Sequence, residues 1–356
     1  MAEKTLIGQG RFDESIENKK VKTDLRDHKI MAILAENSRT PMNKIAKAVK
    51  LSRDGVNYRI KRLEKLGVIK RFFPIINLES FGYKMFYVFM LLDELDQTKQ
   101  KKLIDDLVAH PNTKAVREYS DTWDVELVFI AKTIIEMDEI LMKITSKYPE
   151  VILEKEKMEV IKNYNSIYLP YKFYEGVERN FEWKDRKDFK KYRPDEKDLK
   201  IIEMLCKDCR TSTYKMAENI NLSADAVSYR IKNLVDAGII QKFTIMVDLT
   251  KLGFHWYTYA MQVKTFSKEY DNKMKEFVRQ HDNIIGDIKT LGTWDFMFHI
   301  LTYDAPHYHK TIKEIKTTFS DIVKDYETWV AYKEYFFDVF PRIVVDEEIK
   351  MTSSVD

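Results

Sequence analysis

The sequence predicts an α+β fold made of two tandem copies of one module, each a winged helix-turn-helix followed by a ferredoxin-like βαββαβ domain. Two observations support this fold class. The same residues recur at a constant spacing of 171 positions, and each copy shows three short helical patterns followed by alternating strand and helix patterns. A repeat this long indicates a duplicated pair of domains and not a solenoid.

The duplication is visible as short identical strings. Strings that recur at the same spacing include Arg39-Thr40 with Arg210-Thr211, Tyr58–Lys61 with Tyr229–Lys232, and Thr122–Asp124 with Thr293–Asp295. The alignment needs no gap from Asp24 to Pro170 in the first copy, or from Asp195 to Pro341 in the second. The two copies are therefore expected to share one backbone.

Three helices are predicted in the first half of each copy. Asp24 is placed to cap the first helix, with Asp27 facing the positive end of its dipole. The second helix begins near Thr40-Pro41, since proline is tolerated in a first turn. The third begins after Ser52 and ends at Gly67, a residue type that favours the left-handed C-cap. Residues 68–73 then predict two short strands that form a wing.

The second half of each copy predicts a sandwich of one sheet and two helices. In the first copy the strands are expected at 84–92, 114–119, 123–131 and 151–162, and the helices at 98–109 and 134–147. This order is that of a ferredoxin-like fold, in which helices cover one face of the sheet. The other face would be apolar and open, so we expect it to pair with the same face of the other copy.

The repeat also divides the chain into regions. The predicted regions are a disordered arm (1–23), two winged helix-turn-helix domains (24–80 and 195–251), two ferredoxin-like sensor and dimerisation domains (81–170 and 252–342), a linker (171–194) and a tail (343–356). The linker can span about 80 Å if it is extended. It therefore allows the copies to pair within one chain as an intrachain pseudo-dimer, between two chains as a homodimer, or both.

The third helix of each copy resembles that of a known family. Residues 51–69 read LSRDGVNYRIKRLEKLGVI, and residues 222–240 follow the same pattern with Val235 where glutamate is usual. This pattern resembles the Lrp/AsnC, or feast/famine, family of transcription regulators. The resemblance implies a sequence-specific regulator that binds double-stranded DNA and senses a small, amino-acid-like effector through its ferredoxin-like domains.

The two predicted helix-turn-helix units differ in charge. Residues 24–73 contain 13 lysines and arginines against 5 acidic residues, whereas residues 195–244 contain 8 of each. Cationic side chains that neutralise phosphates supply most non-specific DNA affinity. The first copy is therefore predicted to dominate DNA binding, and the second to contribute pairing or to bind a weaker half-site.

Candidate DNA contacts follow from the outward positions of these helices. They are Lys44, Lys47, Ser52, Arg53, Asn57, Tyr58, Arg59, Lys61, Arg62 and Lys65 in the first copy, and Ser228, Tyr229, Arg230 and Lys232 in the second. Arg53 and Asn57 suit guanine and adenine edges, and the lysines suit phosphates. Arg59 either contacts phosphate or braces the domain. Because a single lysine is equally typical of a solvent-exposed face that binds nothing, the prediction depends on the whole cluster of cations.

The resemblance also implies an effector site at a Gly-x-aromatic-Asp turn between the two central strands. In the second copy Gly292, Thr293, Trp294 and Asp295 fit this pattern. The first copy has Asp121 in place of the glycine, ahead of Trp123 and Asp124. Glycine allows close backbone approach, so ligand binding by the first copy is less expected. Alternatively, the tryptophans pack in the sheet and the aspartates shape the turn.

The remaining features narrow the class of protein. Apolar stretches reach only about eight residues, against roughly 20 for a membrane helix, and two cysteines in this length indicate a reducing compartment, so we expect a cytoplasmic protein with no membrane partner. Cys206 and Cys209 have CxxC spacing but lack a second pair, and are predicted to be small helix residues rather than metal ligands. No phosphate-binding loop or nucleophile motif is present, so no catalytic residue, cofactor or metal is predicted.

Two other functions remain open at this stage. One is an enzyme similar to the sirohaem decarboxylases, which look like Lrp-type proteins with degenerate helix-turn-helix units. The neutral second copy favours that reading and the basic first copy opposes it. The other is an architectural, chromatin-like protein that binds DNA with little sequence preference.

Overall fold

The computed structural model describes residues 10–14, 20–93, 96–166, 169–179 and 192–353. Both copies follow the predicted order of elements. The first copy contains α1 (Leu25–Glu36), α2 (Met42–Val49), α3 (Arg53–Lys65), β1 (Ile69–Ile76), β2 (Lys84–Leu92), α4 (Gln97–Ala109), β3 (Thr113–Tyr119), β4 (Val125–Ala131), α5 (Ile134–Thr145) and β5 (Ile152–Ser166). The second contains α6 (Glu196–Lys207), α7 (Thr213–Ile220), α8 (Ala224–Asp236), β6 (Ile240–Val247), β7 (His255–Val263), α9 (Lys268–Gln280), β8 (Ile284–Leu291), β9 (Phe296–Thr302), α10 (Ala305–Thr318) and β10 (Val323–Phe337).

The ends of the first three helices are set by local chemistry, as predicted. The Asp24 carboxylate accepts the backbone N–H of Asp27 at 2.8 Å, and the Ser52 hydroxyl accepts that of Gly55 at 3.0 Å. These bonds satisfy donors that a helix N-terminus leaves unpaired. After α3 the chain turns through Gly67 at φ +70°, a conformation that favours glycine.

The two short strands predicted at residues 68–73 are wrong, although the winged helix-turn-helix class is confirmed. Residues 69–76 form one continuous strand, β1, which pairs antiparallel with β6 of the second copy instead of folding back on itself. The first helix of each copy also crosses over, because α1 packs against β6 and α6 packs against β1. The two helix-turn-helix units are therefore joined by a shared two-stranded ribbon and do not stand as separate domains.

The eight remaining strands close into one barrel, in the order β10-β3-β4-β2-β5-β8-β9-β7. The long last strand of each copy makes the closure, since β5 pairs with both β2 and β8, and β10 pairs with both β7 and β3. The apolar faces of the two sheets, which we expected to pair, form the inner wall. Trp329 is fully buried there, with its ring 4.7 Å from that of Phe89. The two copies thus pair within one chain.

A pseudo-twofold axis relates the two copies, and residues at equivalent positions meet on it. The hydroxyl of Ser38 lies 2.9 Å from the thiol of Cys209, its counterpart 171 positions later. Arg39 donates to the carbonyl oxygen of Cys209, and Arg210 donates to that of Ser38 at 2.7 Å. Cys206 and Cys209 are both buried free thiols in this packed junction.

Three segments outside the repeat pack against the rest of the described chain. The arm expected to be disordered contributes Arg11 and Phe12 to the buried interior, where Phe12 stacks on Trp256 at 5.3 Å. The linker opens with a short 3-10 helix, Tyr171–Tyr174, whose Phe173 packs against His28 of α1. The tail forms helix α11 (Arg342–Ser353), which packs on α6. The rest of the predicted arm, linker and tail lies at 1–9, 15–19, 180–191 and 354–356, outside the described residues.

Within the described ranges, no helix is both long enough and apolar enough to cross a membrane.

Candidate nucleic-acid interface and effector turns

The first helix-turn-helix presents a set of exposed cations. These side chains lie on α2, on the turn that follows it and on α3; they are Lys44, Lys47, Lys50, Arg53, Lys61 and Lys65. Val56, Ile60 and Leu63 of α3 are buried, which turns the charged positions of that helix outward. Lys50 adopts a left-handed conformation at the end of α2, with φ +54°. We call this set of six exposed cations the basic face.

The same positions in the second copy carry a different charge. The counterparts of the six cations are Lys215, Glu218, Asn221, Ala224, Lys232 and Asp236. Only two of these are cationic and two are acidic, so the surface is neutral. The helices beneath it are equally well formed, with Ser223 capping α8 as Ser52 caps α3. The difference between the copies is therefore one of surface and not of fold.

Arg59 lies off the basic face, where it braces the domain. Its guanidinium donates to Asp27 at 2.8 Å and to Asp24 at 2.9 Å, and the hydrogen bond to Asp27 contributes most to raising the pKa of Arg59. Arg230 makes the same pair of bonds to Asp198 and Asp195. Since both copies retain this contact, it ties the third helix to the first whether or not the surface is basic.

Arg62 also has intramolecular partners. It lies 3.4 Å from Asp27 and donates to the backbone oxygen of Lys22 at 2.9 Å. These bonds occupy a side chain that the sequence assigned to phosphate, so Arg62 is less available to DNA than the lysines beside it.

The remaining predicted contacts are placed near the outer surface. Tyr58 and Tyr229 expose 69% and 66% of their surface, an unusual degree for tyrosine. Ser228 is exposed, and Asn57 is half-buried one turn into α3. The structure thus brings the predicted cations together on the basic face. Arg59 and Arg62 are the exceptions, because both bind acidic residues of their own domain.

The glycine turn of the second copy packs against the first copy. A Cβ added at Gly292 would lie 2.8 Å from the carbonyl oxygen of Lys157 and 2.6 Å from a side-chain carbon of Met158, so only glycine fits against β5. Asp295 accepts the backbone N–H of Val263 at 2.8 Å, and Trp294 is buried.

The first copy makes the equivalent turn with Asp121. The carboxylate of Asp121 accepts the backbone N–H of Val330 on β10 at 2.7 Å, and Asp124 accepts that of Leu92 at 2.6 Å. Trp123 is buried against Phe89, 6.1 Å between ring centroids. In both turns the aspartates and tryptophans have structural partners, and the threonine between them is exposed. The assignment of these turns to an effector stays a prediction.

Sequence reasoning missed a charged network inside the barrel. Arg117 of β3 forms ion pairs with Glu126 and, at 2.8 Å, with Glu334, while Arg11 of the N-terminal arm reaches Glu334 at 2.8 Å. Burial raises the pKa of Glu334, but the two guanidinium groups outweigh it and leave that pKa below its ordinary value. Burial also raises the pKa of Glu126, which Arg117 only partly offsets.

A signal for this network was present in the repeat. Arg117, Glu126 and Glu334 occupy positions whose counterparts are Ile288, Met297 and Asn163. At these positions one copy has a charged residue in a buried strand, whereas the other copy has an uncharged residue. Comparison of the two copies position by position would have found it.

Comparison with known proteins agrees with this architecture. The family model described as winged helix-turn-helix DNA-binding matches residues 23–70 and 194–241. The regulatory protein AsnC of Haemophilus influenzae is 24% identical over 137 residues, which are 38% of this chain and 90% of that protein. The transcriptional regulator AzlB of Bacillus subtilis is 32% identical over 119 residues, 33% of this chain and 76% of that protein. Each of these regulators therefore matches a length close to one copy of the module.

A solved structure matches both copies at once. The crystal structure of the siroheme decarboxylase NirDL aligns with a TM-score of 0.60 over 92% of this chain and 99% of that one, at 10% identity. At this identity the match concerns the fold: two Lrp-type modules arranged as they are here.

Proposed function

The chain belongs to the Lrp/AsnC family of DNA-binding transcription regulators, and we propose that its first helix-turn-helix supplies most of its affinity for DNA. In this proposal α3 enters the major groove, as third helices of this fold do. Arg53, at the exposed N-terminal end of α3, and Asn57 read base edges, and the lysines of the basic face contact phosphates. The second helix-turn-helix holds the pseudo-dimer together and reads a weaker half-site.

The observation that supports this division is the contrast between equivalent positions. Six exposed cations on one surface correspond to two cations and two acids on the other, although both surfaces rest on the same backbone. Each phosphate that a protein neutralises steepens the salt dependence of its binding by about 0.9 in logarithmic slope. A six-cation surface and a neutral one should therefore differ strongly in affinity.

The test uses pairs of equivalent residues as matched controls. DNA sites are first selected from a random pool with the full chain, and gel-shift titrations then compare Lys61→Ala with Lys232→Ala. We expect the first substitution to weaken binding severalfold, and the second to change it by less than about twofold, because an isolated exposed lysine contributes little. Equal losses for the two variants would overturn the proposed division.

The same selection tests the architectural alternative. If Arg53 and Asn57 read bases, the selected pool converges on a motif, and each wrong base pair costs about 1–3 kcal/mol. A steep salt dependence with no enriched motif would instead favour a protein that binds DNA through its backbone alone.

We further propose that the chain acts without catalysis. The curated relatives that it matches are named as regulators, and the likeness to the decarboxylase concerns the fold. The arginines inside the barrel, Arg11 and Arg117, are already neutralised by Glu334 and Glu126 and are poorly placed to bind the carboxylates of a tetrapyrrole. Mixing the chain with sirohaem and recording the Soret region tests this, and a saturable shift at one equivalent would favour the enzyme.

A further inference from the structure

The third helices of the two units, α3 and α8, keep some residues in common, and the fold explains most of them. Each helix has 13 residues. The positions that are identical in both helices are, in the first copy, Asp54, Val56, Tyr58, Arg59, Ile60, Lys61 and Leu63. Val56, Ile60 and Leu63 are buried in the core. Arg59 is the arginine that braces the domain. Packing and bracing therefore leave Asp54, Tyr58 and Lys61 unexplained.

These remaining positions lie along one line of the helix surface. They are spaced four and three residues apart, which places them together on the side of the helix opposite its buried positions. All of them are exposed in both copies, and we call them the shared line: Asp54, Tyr58 and Lys61, with Asp225, Tyr229 and Lys232. Positions beside the line have changed, since Arg53 corresponds to Ala224 and Lys65 to Asp236. Exposed residues that stay the same among changed neighbours indicate a contact that both copies make.

The acid at the start of the shared line is unexpected on a surface that binds DNA. Asp54 follows Arg53 of the basic face, and a carboxylate at that place opposes the attraction between the cations and phosphates. Within the residues that the structure describes, no side-chain hydrogen bond or ion pair engages either Asp54 or Asp225. By contrast, Asp27 accepts from Arg59 at 2.8 Å. Both carboxylates of the shared line are therefore available to accept from a donor outside the protein.

One role within the protein is available to these acids. Both lie in the first turn of their helix, where a negative charge interacts favourably with the helix dipole. Helix formation does not depend on them, because Ser52 and Ser223 already cap the two helices. The second helices, α2 and α7, have no acid in their first turn. The dipole therefore accounts for a favourable placement of the acids but not for their retention in both copies.

We propose that Asp54 and Asp225 each select a cytosine in the major groove, one in each half of the DNA site. The amino group at N4 of cytosine is a donor that a carboxylate accepts, whereas O6 and N7 of guanine and O4 of thymine are acceptors that repel it. The acids thus lower the affinity for most sequences and favour one base. The proposal rests on the proposed function in one respect, namely that α3 and α8 both face DNA.

The two copies then define a DNA site that is only partly symmetric. The pseudo-twofold axis places the two cytosines at equivalent positions of the half-sites, on opposite strands. A guanine read by Arg53 occurs in one half only, because the methyl side chain of Ala224 has no donor for it. The expected motif is symmetric at one base pair and asymmetric beside it, so the chain binds its site in a single orientation.

Selection of bound sequences from a random DNA pool with the full chain tests the proposal. The wild-type chain should enrich cytosine at equivalent positions of both half-sites. Asp54→Asn should lose this preference in the stronger half-site only, and Asp225→Asn in the weaker one only, because an amide offers donors as well as an acceptor. Glu269→Gln is the matched control. It neutralises an exposed acid in the first turn of α9, away from both helix-turn-helix units, and should leave the motif unchanged.

Titration of the wild-type chain with altered duplexes covers the case in which a variant fails to fold. Replacing the cytosine pair of the stronger half-site by a thymine pair turns the donor into an acceptor. Binding should weaken about tenfold, the loss that corresponds to one charge-assisted hydrogen bond. The same replacement should change binding by Asp54→Asn less than about twofold, since an amide can pair with either base. Equal binding of both duplexes by the wild-type chain would overturn the proposal.

The readouts separate the cytosine contacts from the role of the basic face. If both aspartate variants keep the wild-type motif, bind all sequences more tightly and unfold at a lower temperature, the acids serve only the helix dipole and the proposal fails. A selected pool without a motif also overturns the cytosine contacts, but leaves phosphate binding by the basic face intact. Equal losses for Lys61→Ala and Lys232→Ala, together with a cytosine preference that each aspartate variant loses, would overturn the division of affinity and support the cytosine contacts.

Discussion

The two helix-turn-helix units of this chain share a backbone and differ in surface. Capping aspartates, bracing arginines and buried apolar positions recur in both, down to equal bond lengths for Arg59 and Arg230. The exposed cations do not recur. Positions that specify a fold are constrained by packing, whereas exposed positions are free to change unless they bind something. The divergence therefore favours the first helix-turn-helix as the surface that binds DNA.

The barrel shows the opposite pattern, because there the buried positions have diverged. Arg117, Glu126 and Glu334 replace apolar or neutral residues found in the other copy. Buried charges are weak contributors to stability compared with a well-packed apolar core. None of the three has a charged counterpart in the other copy, an asymmetry that a homodimer lacks because it repeats every substitution.

The largest expected effect is loss of the buried ion pairs. Glu334→Ala leaves Arg11 and Arg117 in the barrel without their shared carboxylate, and breaking a buried pair in this way costs about 3–5 kcal/mol. Asn163→Ala, at the equivalent position of the first copy, should cost less than about 1 kcal/mol, because no buried charge depends on it. Urea denaturation of both variants measures the difference.

A similar loss in the two barrel variants would show that the network gives no special stability. Retention of Arg11 in its place in the Glu334→Ala variant, seen as unchanged near-ultraviolet dichroism of Trp256, would lead to the same conclusion.

An exchange of charges between the two recognition surfaces should have the next largest effect. Lys47→Glu with Lys65→Asp gives the first copy the residues of the second, and should weaken DNA binding about 10- to 100-fold and lower the salt slope by about 2. Glu218→Lys with Asp236→Lys makes the reverse change and should strengthen binding. Gel shifts at several salt concentrations measure both.

The pair Glu218→Lys and Asp236→Lys is the more discriminating of the two exchanges. If adding lysines to the second copy leaves affinity unchanged, that surface does not face DNA in the complex. The first copy would then bind alone, and the idea of a weaker second half-site would be wrong.

Substitution of the bracing arginines should have equal effects in the two copies. Arg59→Ala and Arg230→Ala each remove ion pairs between the first and third helices, and each should cost about 1–2 kcal/mol, since one partner, Asp27 or Asp198, is buried. Thermal unfolding measures the loss. If instead Arg59→Ala leaves stability unchanged and weakens DNA binding more than Lys61→Ala, then Arg59 contacts phosphate.

Local sequence patterns predicted the elements well and their partners poorly. Capping residues and apolar spacing located α1 to α3, and the βαββαβ order was confirmed in both copies. The pairing predicted for residues 68–73 was wrong because the partner of β1 lies about 170 residues away, and strand pairing over that distance leaves no local signal. Arg59 stayed ambiguous because an arginine at a helix surface has the same pattern whether it faces phosphate or aspartate.

The places of the arm and of Lys114 were missed for a related reason. Residues 10–14 have no counterpart in the second copy, so the repeat could not assign them a place. Their burial depends on a barrel whose mouth is assembled from strands of both copies. Lys114 likewise looks like any strand-end lysine until its neighbours are known.

Lys114 has the smallest expected effect, and the equivalent position of the second copy is the apolar Ile285. Burial lowers its pKa to about 8, from an ordinary 10.5, and the side chain lies near Asp338, Arg11 and Arg117. Below pH 8 the amine is charged in both the folded and unfolded chains, so folding bears the full cost of burying the charge. Between pH 8 and 10.5 only the unfolded chain keeps the proton, and the cost shrinks as pH rises. Lys114→Met should therefore stabilise the chain by about 1 kcal/mol at pH 7 and by almost nothing above pH 10.5. Urea denaturation across this range measures the trend. A variant that is less stable than the wild type at pH 7 would mean that Lys114 contributes more through its contacts than its buried charge costs.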